Sequence, residues 1–239
     1  MLALAALALA GCETSAEKSA QLEKQAKLHQ THLSAQRAPL QSLAAGRTGS
    51  KARVTATTTL HSREGTAAVV TVRSLSPSAL RNVPILISVT GSGGHTLYTN
   101  DVSGLAPSLT SIALLAPHAS FSWIDDQIQG QQAPTGVTAK LGEGEPLGAS
   151  GAQQLPVSGT VSEPGSEGGT VEGTVTNPSA SSQHEVVVYA VARRATRTVA
   201  AGRAVLASLA GGASSHFQLF LIGNPSGATL SLVAQAAGG

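Results

Sequence analysis

Residues 83–90 read VPILISVT, a stretch in which every second side chain is apolar. The alternating positions are Val83, Ile85, Ile87 and Val89. Strict alternation is typical of a β-strand, because successive side chains of a strand point to opposite faces of the sheet. One face of this strand is therefore expected to be buried against a second layer. The stretch predicts a sheet that packs face to face with another sheet, as in a β-sandwich.

Similar β-branched runs, separated by Gly, Pro, Ser and Asn, follow one another after Lys51. This pattern predicts strands joined by turns. The first group of predicted strands comprises residues 54–60, 67–73, 83–90 and 121–124. The second group comprises residues 155–161, 170–176, 185–192, 199–206, 217–222 and 228–234. Residues 142–151 lie between the groups and are too rich in glycine for an element interior, so we place a domain boundary there.

The two groups contain matching residues, which indicates an internal repeat. A turn that begins at Leu115 leads to Trp123, and a turn that begins at Leu209 leads to Phe217. The aromatic ring follows the leucine at the same spacing in both copies. Each turn is therefore expected to enter a strand that carries an inward-facing aromatic residue.

The first copy is longer than the second between two matching positions. The segment 72–115 spans 43 residues and the corresponding segment 175–209 spans 34, a difference of nine. We place the insertion within residues 91–112, which include Tyr98. Loops carried on a rigid scaffold often hold functional residues, so this insertion is the first candidate for a functional loop.

The second copy also carries a recognisable order of features. A strand ends in an Asn-x-Ser turn at Asn177, a valine-rich strand follows, and the turn 209–214 precedes Phe217. This order resembles the immunoglobulin-like sandwich modules of bacterial envelope proteins, of the FxLYD-like and CARDB-like types. The resemblance implies an all-β protein with two tandem immunoglobulin-like β-sandwich domains, at residues 51–148 and 149–239.

Residues 1–11 read MLALAALALAG. The length of this apolar run matches the hydrophobic region of a secretory signal peptide and is too short to span a bilayer. It ends at Leu9, Ala10 and Gly11, directly before Cys12, the single cysteine of the chain. This junction resembles a bacterial lipobox, which implies that signal peptidase recognises the three residues and that acyl chains such as palmitate modify Cys12. The alternative is a buried apolar helix with a core cysteine.

Residues 12–50 form a polar spacer between this junction and the predicted strands. Thr14 and Glu17 fit a capping box, in which two side chains satisfy free backbone N–H groups at the start of a helix. Residues 16–38 therefore predict a solvated helix that Pro39 would end. The spacer could equally be disordered. In either state it would hold the folded part away from the membrane.

The composition excludes several classes of protein. Charged residues make up 12% of the chain and the formal net charge is +2, so the chain lacks the basic excess of a nucleic-acid-binding protein. One cysteine cannot form a disulfide framework or a zinc site that needs several thiolates. Hydrophobic residues make up 41%, which is enough for a packed core.

The sequence contains no pattern that indicates catalysis or metal binding. His29 and His32 lie three residues apart, but no third ligand is near them. Asp125 and Asp126 are adjacent in a predicted strand, so their carboxylates point to opposite faces and cannot converge. The glycine-rich residues 91–94 predict a turn. We therefore expect no cofactor, no metal site and no enzymatic activity.

Two sets of side chains are candidates for binding a partner. Tyr98 and Trp123 are aromatic, and aromatic residues dominate the energetics of interfaces. Arg193, Arg194 and Arg197 surround a predicted hairpin connection in the second module. This basic hairpin could contact anionic lipid headgroups or an acidic cell-wall polymer. It could also serve only to discourage edge-to-edge aggregation of strands.

These features together predict a lipoprotein of the cell envelope, anchored to the membrane on its extracytoplasmic face. We expect it to act as a non-enzymatic binding or adaptor protein through its sandwich surfaces. Its partner would be an envelope protein or a cell-wall polymer, and not a nucleic acid. Two alternatives stay open. One is an accessory subunit or enzyme with a site between the domains, and the other is a purely structural stalk.

Overall fold

The computed structural model describes residues 38–130, 132–148, 154–162, 164 and 168–236. This part of the chain is all-β apart from a helical segment at 38–44 and two short 3-10 turns, which confirms the predicted class. The described residues all fall within one unit. None of their helices is long and apolar enough to cross a membrane. The predicted signal peptide, Cys12 and most of the spacer lie outside the described residues.

The first half of the β region contains eight strands among the described residues. They are β1 Ala52–Ser62, β2 Gly65–Ser74, β3 Ala79–Thr90, β4 Thr96–Thr99, β5 Ser111–Leu115, β6 Ser120–Ile128, β7 Gly136–Leu141 and β8 Glu145–Leu147. An antiparallel sheet has the order β1-β2-β6. In a second antiparallel sheet, β3 is the central strand. It pairs with β4 and β5 along one edge and with β7 and β8 along the other.

The second half contains six strands among the described residues. They are β9 Val157–Ser162, β10 Gly168–Thr176, β11 Gln183–Arg194, β12 Arg197–Leu209, β13 Ser214–Gly223 and β14 Thr229–Ala236. They form one antiparallel sheet in the order β14-β11-β12-β13-β10-β9. The backbone N–H of Leu155, just before β9, donates to the carbonyl of Ala234 in β14 at 3.1 Å. The sheet therefore curls until its two ends approach each other.

The two halves share a set of strand pairings, although β12 also pairs with β13 whereas the corresponding β5 and β6 belong to different sheets. β2 pairs with β1 and β6 in the same way that β10 pairs with β9 and β13. Likewise, β3 pairs with β5 and β7 as β11 pairs with β12 and β14. The turn before β6 closes with a hydrogen bond from Ala119 N to Ala116 O at 3.2 Å, and the turn before β13 closes from Ala213 N to Ala210 O at 3.2 Å. The predicted internal repeat is thereby confirmed.

Equivalent positions of the two halves also share an unusual backbone conformation. His118 (φ 53°) and Gly212 (φ 69°) occupy the same place in the two turns, and Asn82 (φ 50°) and Glu185 (φ 48°) occupy the same place in β3 and β11. A positive φ is uncommon for a residue with a side chain. Its occurrence at matching sites shows that it belongs to the repeated architecture and not to one copy.

Strand β3 has the expected alternation, with its inward-facing residues fully buried. These residues are Val83, Ile85, Ile87 and Val89, each 0% exposed. Strand β11 is buried on both faces, as expected for a strand between two layers. One of its faces packs inside the second half. The other belongs to a hydrophobic cluster centred on the first half. That cluster takes five buried residues from the second half: Val187, Tyr189, Val191, Ala201 and Ile222.

The structure departs from the sequence predictions in two places. Residues 142–151 are expected to be a linker, yet Glu145–Leu147 pairs with Ala79–Arg81 as a short strand. Three residues are too few to show an apolar period, so the pairing leaves no trace in the sequence. Pro39 is expected to end a helix, yet it lies within the helical segment 38–44.

Candidate functional site

Ser108 connects the insertion to the second half of the molecule. It is 5% exposed and lies in a 3-10 turn within the predicted insertion 91–112. Its Oγ donates to Glu185 Oε1 at 3.1 Å and accepts a hydrogen bond from Arg203 Nη1 at 3.1 Å. Its carbonyl accepts a hydrogen bond from the indole N–H of Trp123 at 2.9 Å. The insertion therefore docks on β11 and β12 through one buried serine.

A buried ion pair lies beside this serine. Arg203 Nε in β12 donates to Asp126 Oδ1 in β6 at 2.9 Å, and the Arg203 backbone N–H donates to Asp126 Oδ2 at 2.9 Å. The side chains are 2% and 15% exposed, respectively. Sequence analysis missed this pair because its partners are separated by 77 positions in the chain. Shielded from water, the pair fixes one half against the other.

The neighbouring carboxylate lies on the other face of β6. Asp125 is fully buried, accepts a hydrogen bond from the Tyr98 hydroxyl at 2.8 Å and a second one from the Gln127 backbone N–H at 3.0 Å. Burial raises the pKa of Asp125 above its ordinary value, and burial together with the Asp125 charge raises the pKa of Tyr98. Asp125 and Asp126 have different hydrogen-bond partners, Tyr98 and Arg203, and the pairing of β6 with β2 shifts register just after Asp125. Tyr98 is thus partly buried, and its hydroxyl is bonded to Asp125 of the same half of the β region.

Trp123 lies in the core and not at the surface. It is 0% exposed, because the pleat of β6 turns its ring into the hydrophobic cluster of the first half. Its position opposite Val70 of β2 matches that of Phe217 opposite Gly173 of β10. A partner cannot reach this ring in the described structure. Trp123 therefore acts as the core aromatic residue that the repeat predicts.

The three predicted arginines lie around the short turn that joins β11 and β12. Arg193 is half-buried and donates to Ser122 Oγ of β6 at 2.8 Å, which is a further contact between the halves. Arg194 and Arg197 are exposed, and Arg194 donates to the backbone carbonyl of Ser226. Two of the three side chains are thus accessible to an anionic partner, and the third is occupied inside the molecule.

A small pocket lies between the halves next to Ser108. Its volume is about 220 Å³. The first half contributes Asn82, Ser108 and Ala113 to its walls, and the second half contributes Glu185, Tyr189 and Gln235. Asn82 and Glu185, the equivalent residues of β3 and β11 that have a positive φ, therefore both line this pocket. Burial raises the pKa of Tyr189, so its hydroxyl stays protonated and can donate or accept a hydrogen bond.

A wider groove lies where β12 and β13 face the first half. Its volume is about 450 Å³. The first half contributes Glu64, Asp126 and Gln127 to its walls, and β12 and β13 contribute Arg203, Val205, Phe220 and Ile222. Its apolar rim is Val205, which is 47% exposed, and Phe220, which is 64% exposed. The buried ion pair of Arg203 with Asp126 lies in the same groove.

The described ranges contain no group of three or more His, Cys, Asp or Glu side chains placed to hold a metal ion. Most polar groups at the junction of the halves are engaged with each other.

No protein-family model matches this chain, and no curated protein matches it. Among solved structures, the chain is similar to the crystal structure of red sea bream transglutaminase, with a TM-score of 0.26 and 12% sequence identity. The match covers 82% of this chain and 30% of that one, so the chain spans less than a third of the transglutaminase. A likeness this weak carries no argument about family or function.

Proposed function

We propose that this chain is a lipid-anchored protein of the cell envelope, held on the extracytoplasmic face of the membrane, that binds another envelope component without catalysing a reaction. The anchor is proposed from the apolar run at residues 1–11 and from Cys12. The binding role is proposed from the surface of the β region. We also propose that each half is an immunoglobulin-like sandwich module. The strand pairings that the two halves share support that proposal.

The observation that carries the binding role is the exposure of Phe220. Aromatic residues make up only 3% of this chain, and among the described ones Phe220 alone is mostly exposed. Val205, which is also exposed, lines the same groove. Neighbouring exposed apolar side chains rimmed by polar groups form the kind of patch that marks protein interfaces, and aromatic residues often anchor them. The exposed arginines Arg194 and Arg197 would add contacts to an anionic partner.

Cross-linking in intact cells tests the binding role. The Phe220→Ser variant is expected to lose a cross-linked product that the wild-type chain forms, because the central apolar anchor of the interface is gone. Leu75→Ser is the matched control, since Leu75 is an exposed apolar residue (47% exposed) at the end of β2. The proposal fails if both variants retain the product or if both lose it.

Membrane fractionation tests the anchor separately. The Cys12→Ala variant is expected to leave the membrane fraction and to incorporate no labelled palmitate, because the thiol that receives the acyl chains is absent. Ser15→Ala is a suitable control, since it changes a nearby residue outside the lipobox-like junction. Unchanged fractionation of the Cys12 variant would refute lipid anchoring and leave the binding role to be judged by cross-linking.

A further inference from the structure

Tyr189 presents a hydroxyl to the pocket between the halves. The residue is 3% exposed, and its ring makes an edge-to-face contact with Phe121, with the ring centroids 5.1 Å apart. No described residue forms a hydrogen bond with its hydroxyl. Fully enclosed side-chain oxygens and nitrogens in the described part all have partners. The hydroxyl must therefore reach accessible space, and the space that Tyr189 lines is this pocket.

Glu185 also lines this pocket, and only one of its two carboxylate oxygens accepts hydrogen bonds from described residues. Its Oε1 accepts hydrogen bonds from the Ser108 hydroxyl at 3.1 Å and from the Ser108 backbone N–H at 3.4 Å. Within the described ranges, no group donates to Oε2, and no Lys, Arg or His forms an ion pair with this carboxylate. The nearby Arg203 is already paired with Asp126. Arg203 reaches Glu185 only through Ser108, whose Oγ it bonds at 3.1 Å, and the exposed His184 also lines the pocket. Among the described residues, the Glu185 carboxylate therefore has no direct ion pair.

We propose that this pocket binds a small organic cation, a primary ammonium or guanidinium group on an aliphatic stem of the size of a lysine or arginine side chain. The N–H groups of such a cation would donate to Glu185 Oε2 and to the Tyr189 hydroxyl. Ala113 and Val187 line the pocket with apolar surface that can cover the stem. A charge-assisted hydrogen bond in a partly dry pocket is stronger than one in water.

The size of the pocket agrees with this class of ligand. Its volume is about 220 Å³. Pockets for drug-sized ligands occupy about 300–1,000 Å³, so a nucleotide or a sugar chain is too large. An anion is disfavoured because it would face the unpaired Glu185 carboxylate. The site rests neither on the Phe220 surface nor on the lipid anchor, so its failure would leave the proposed function intact.

The test is a calorimetric titration of the full chain with n-butylamine, which carries the proposed charge on a four-carbon stem. Titrations with 1-butanol and with sodium butyrate provide the neutral and anionic controls. The ammonium form is expected to bind at least tenfold more tightly than either control. A parallel titration with a Gly-Lys-Gly peptide distinguishes the source of the cation. Tighter binding of the peptide would identify a protein side chain, and tighter binding of butylamine a free amine.

Three variants locate the site. Glu185→Gln keeps the shape of the side chain and is expected to weaken butylamine binding tenfold or more. Tyr189→Phe removes only the hydroxyl and is expected to weaken it several-fold. Glu172→Gln removes an exposed charge on β10, outside the pocket, and is expected to leave binding unchanged. Thermal unfolding of each variant, compared with the wild type, checks that the fold is retained.

The proposal is overturned by any of three results. The first is equal affinity for butylamine and 1-butanol, which would show that the charge is not recognised. The second is undiminished binding by both Glu185→Gln and Tyr189→Phe, which would place the cation elsewhere. The third is the absence of saturable binding in the millimolar range, where even a weak specific site would be detected.

Discussion

The two halves of the β region share a set of strand pairings but use their central strands differently. In β3 half-buried and buried positions alternate along most of the strand, whereas β11 is buried without interruption from Val186 to Ala192. The difference follows from position. β3 faces solvent on one side, and β11 lies between its own sheet and the hydrophobic cluster of the first half. The second half can thus pack against the first because both faces of its central strand, β11, carry buried apolar residues.

The second difference is the connection that follows the central strand. In the second half two residues join β11 to β12, whereas in the first half residues 91–110 separate β3 from β5 and contain β4 and two 3-10 turns. This longer connection carries Ser108, which contacts Glu185 and Arg203 in the other half. The insertion predicted from the unequal repeat lengths is therefore one of the segments that join the two copies.

The largest expected effect comes from breaking the buried ion pair between the halves. Asp126→Asn leaves the Arg203 guanidinium buried without a counter-charge, so we expect the free energy of unfolding to fall by about 3 kcal/mol. Urea denaturation followed by the fluorescence of the buried Trp123 measures this loss. Replacing both partners, as in Asp126→Asn with Arg203→Met, should restore most of the stability, because no unpaired charge remains.

An exposed pair within the first half is the control for this prediction. Arg81 and Glu145 form an ion pair at 2.8 Å, but their side chains are 42% and 59% exposed. Glu145→Gln should therefore cost less than about 1 kcal/mol. Equal losses for Asp126→Asn and Glu145→Gln would show that the contact between the halves contributes little to stability.

A smaller effect is expected from the carboxylate on the opposite face of β6. Burial raises the pKa of Asp125 in the folded state. The contribution of Asp125 to the free energy of unfolding is therefore largest below its unfolded pKa. That contribution is lost as the pH rises through the folded pKa. Asp125→Asn removes the titration and keeps one acceptor oxygen, for the Gln127 N–H, while its new amide N–H can donate to the Tyr98 hydroxyl oxygen. Relative to the wild type, this variant should gain stability as the pH rises from below the unfolded pKa of Asp125 through its folded pKa.

Glu143 is a control for which the expected change in stability with pH has the opposite sign. Hydrogen bonds from the Ser50 backbone and hydroxyl lower the pKa of Glu143 in the folded state. The contribution of Glu143 to the stability of the fold is present above its unfolded pKa and is lost as the pH falls through the folded pKa. Glu143→Gln should therefore lose stability relative to the wild type as the pH rises. Urea titrations at several pH values measure both variants, and slopes of the same sign would contradict the assignment.

Most of the long strands could be predicted from the sequence because each carries a local apolar pattern. The four that were missed, β4, β5, β7 and β8, have three to six residues each and owe their existence to pairing with β3. Such short segments are stabilised by backbone hydrogen bonds to a long neighbour, which no local pattern reveals. The repeat was predictable because the turn residues recur in the sequence.

The candidate site was predictable only in part. Sequence analysis identified the insertion, and it predicted that Asp125 and Asp126 face opposite ways. It did not bring Ser108, Glu185 and Arg203 together, because these contacts join residues 77 and 95 positions apart. It placed Trp123 among the binding residues, since a single tryptophan in a β-rich chain can serve a core as well as an interface. The equivalence of Trp123 with Phe217 was the signal that favoured the core.

The smallest expected effect concerns the turn that both halves share. Gly212 has a left-handed backbone, and a Cβ at this position would meet no atom within 4 Å, so Gly212→Ala tests backbone conformation alone. We expect a loss of about 1 kcal/mol, because the left-handed conformation costs an L-residue roughly 1–2 kcal/mol and the reduced entropy of the unfolded chain offsets part of this. The equivalent His118 is exposed and already bears that strain, so His118→Gly should change stability by less than about 0.5 kcal/mol. Thermal unfolding of the two variants measures the contrast. A neutral Gly212→Ala would mean that the second turn can relax out of the left-handed conformation, and the two turns would then be equivalent in sequence position but not in backbone constraint.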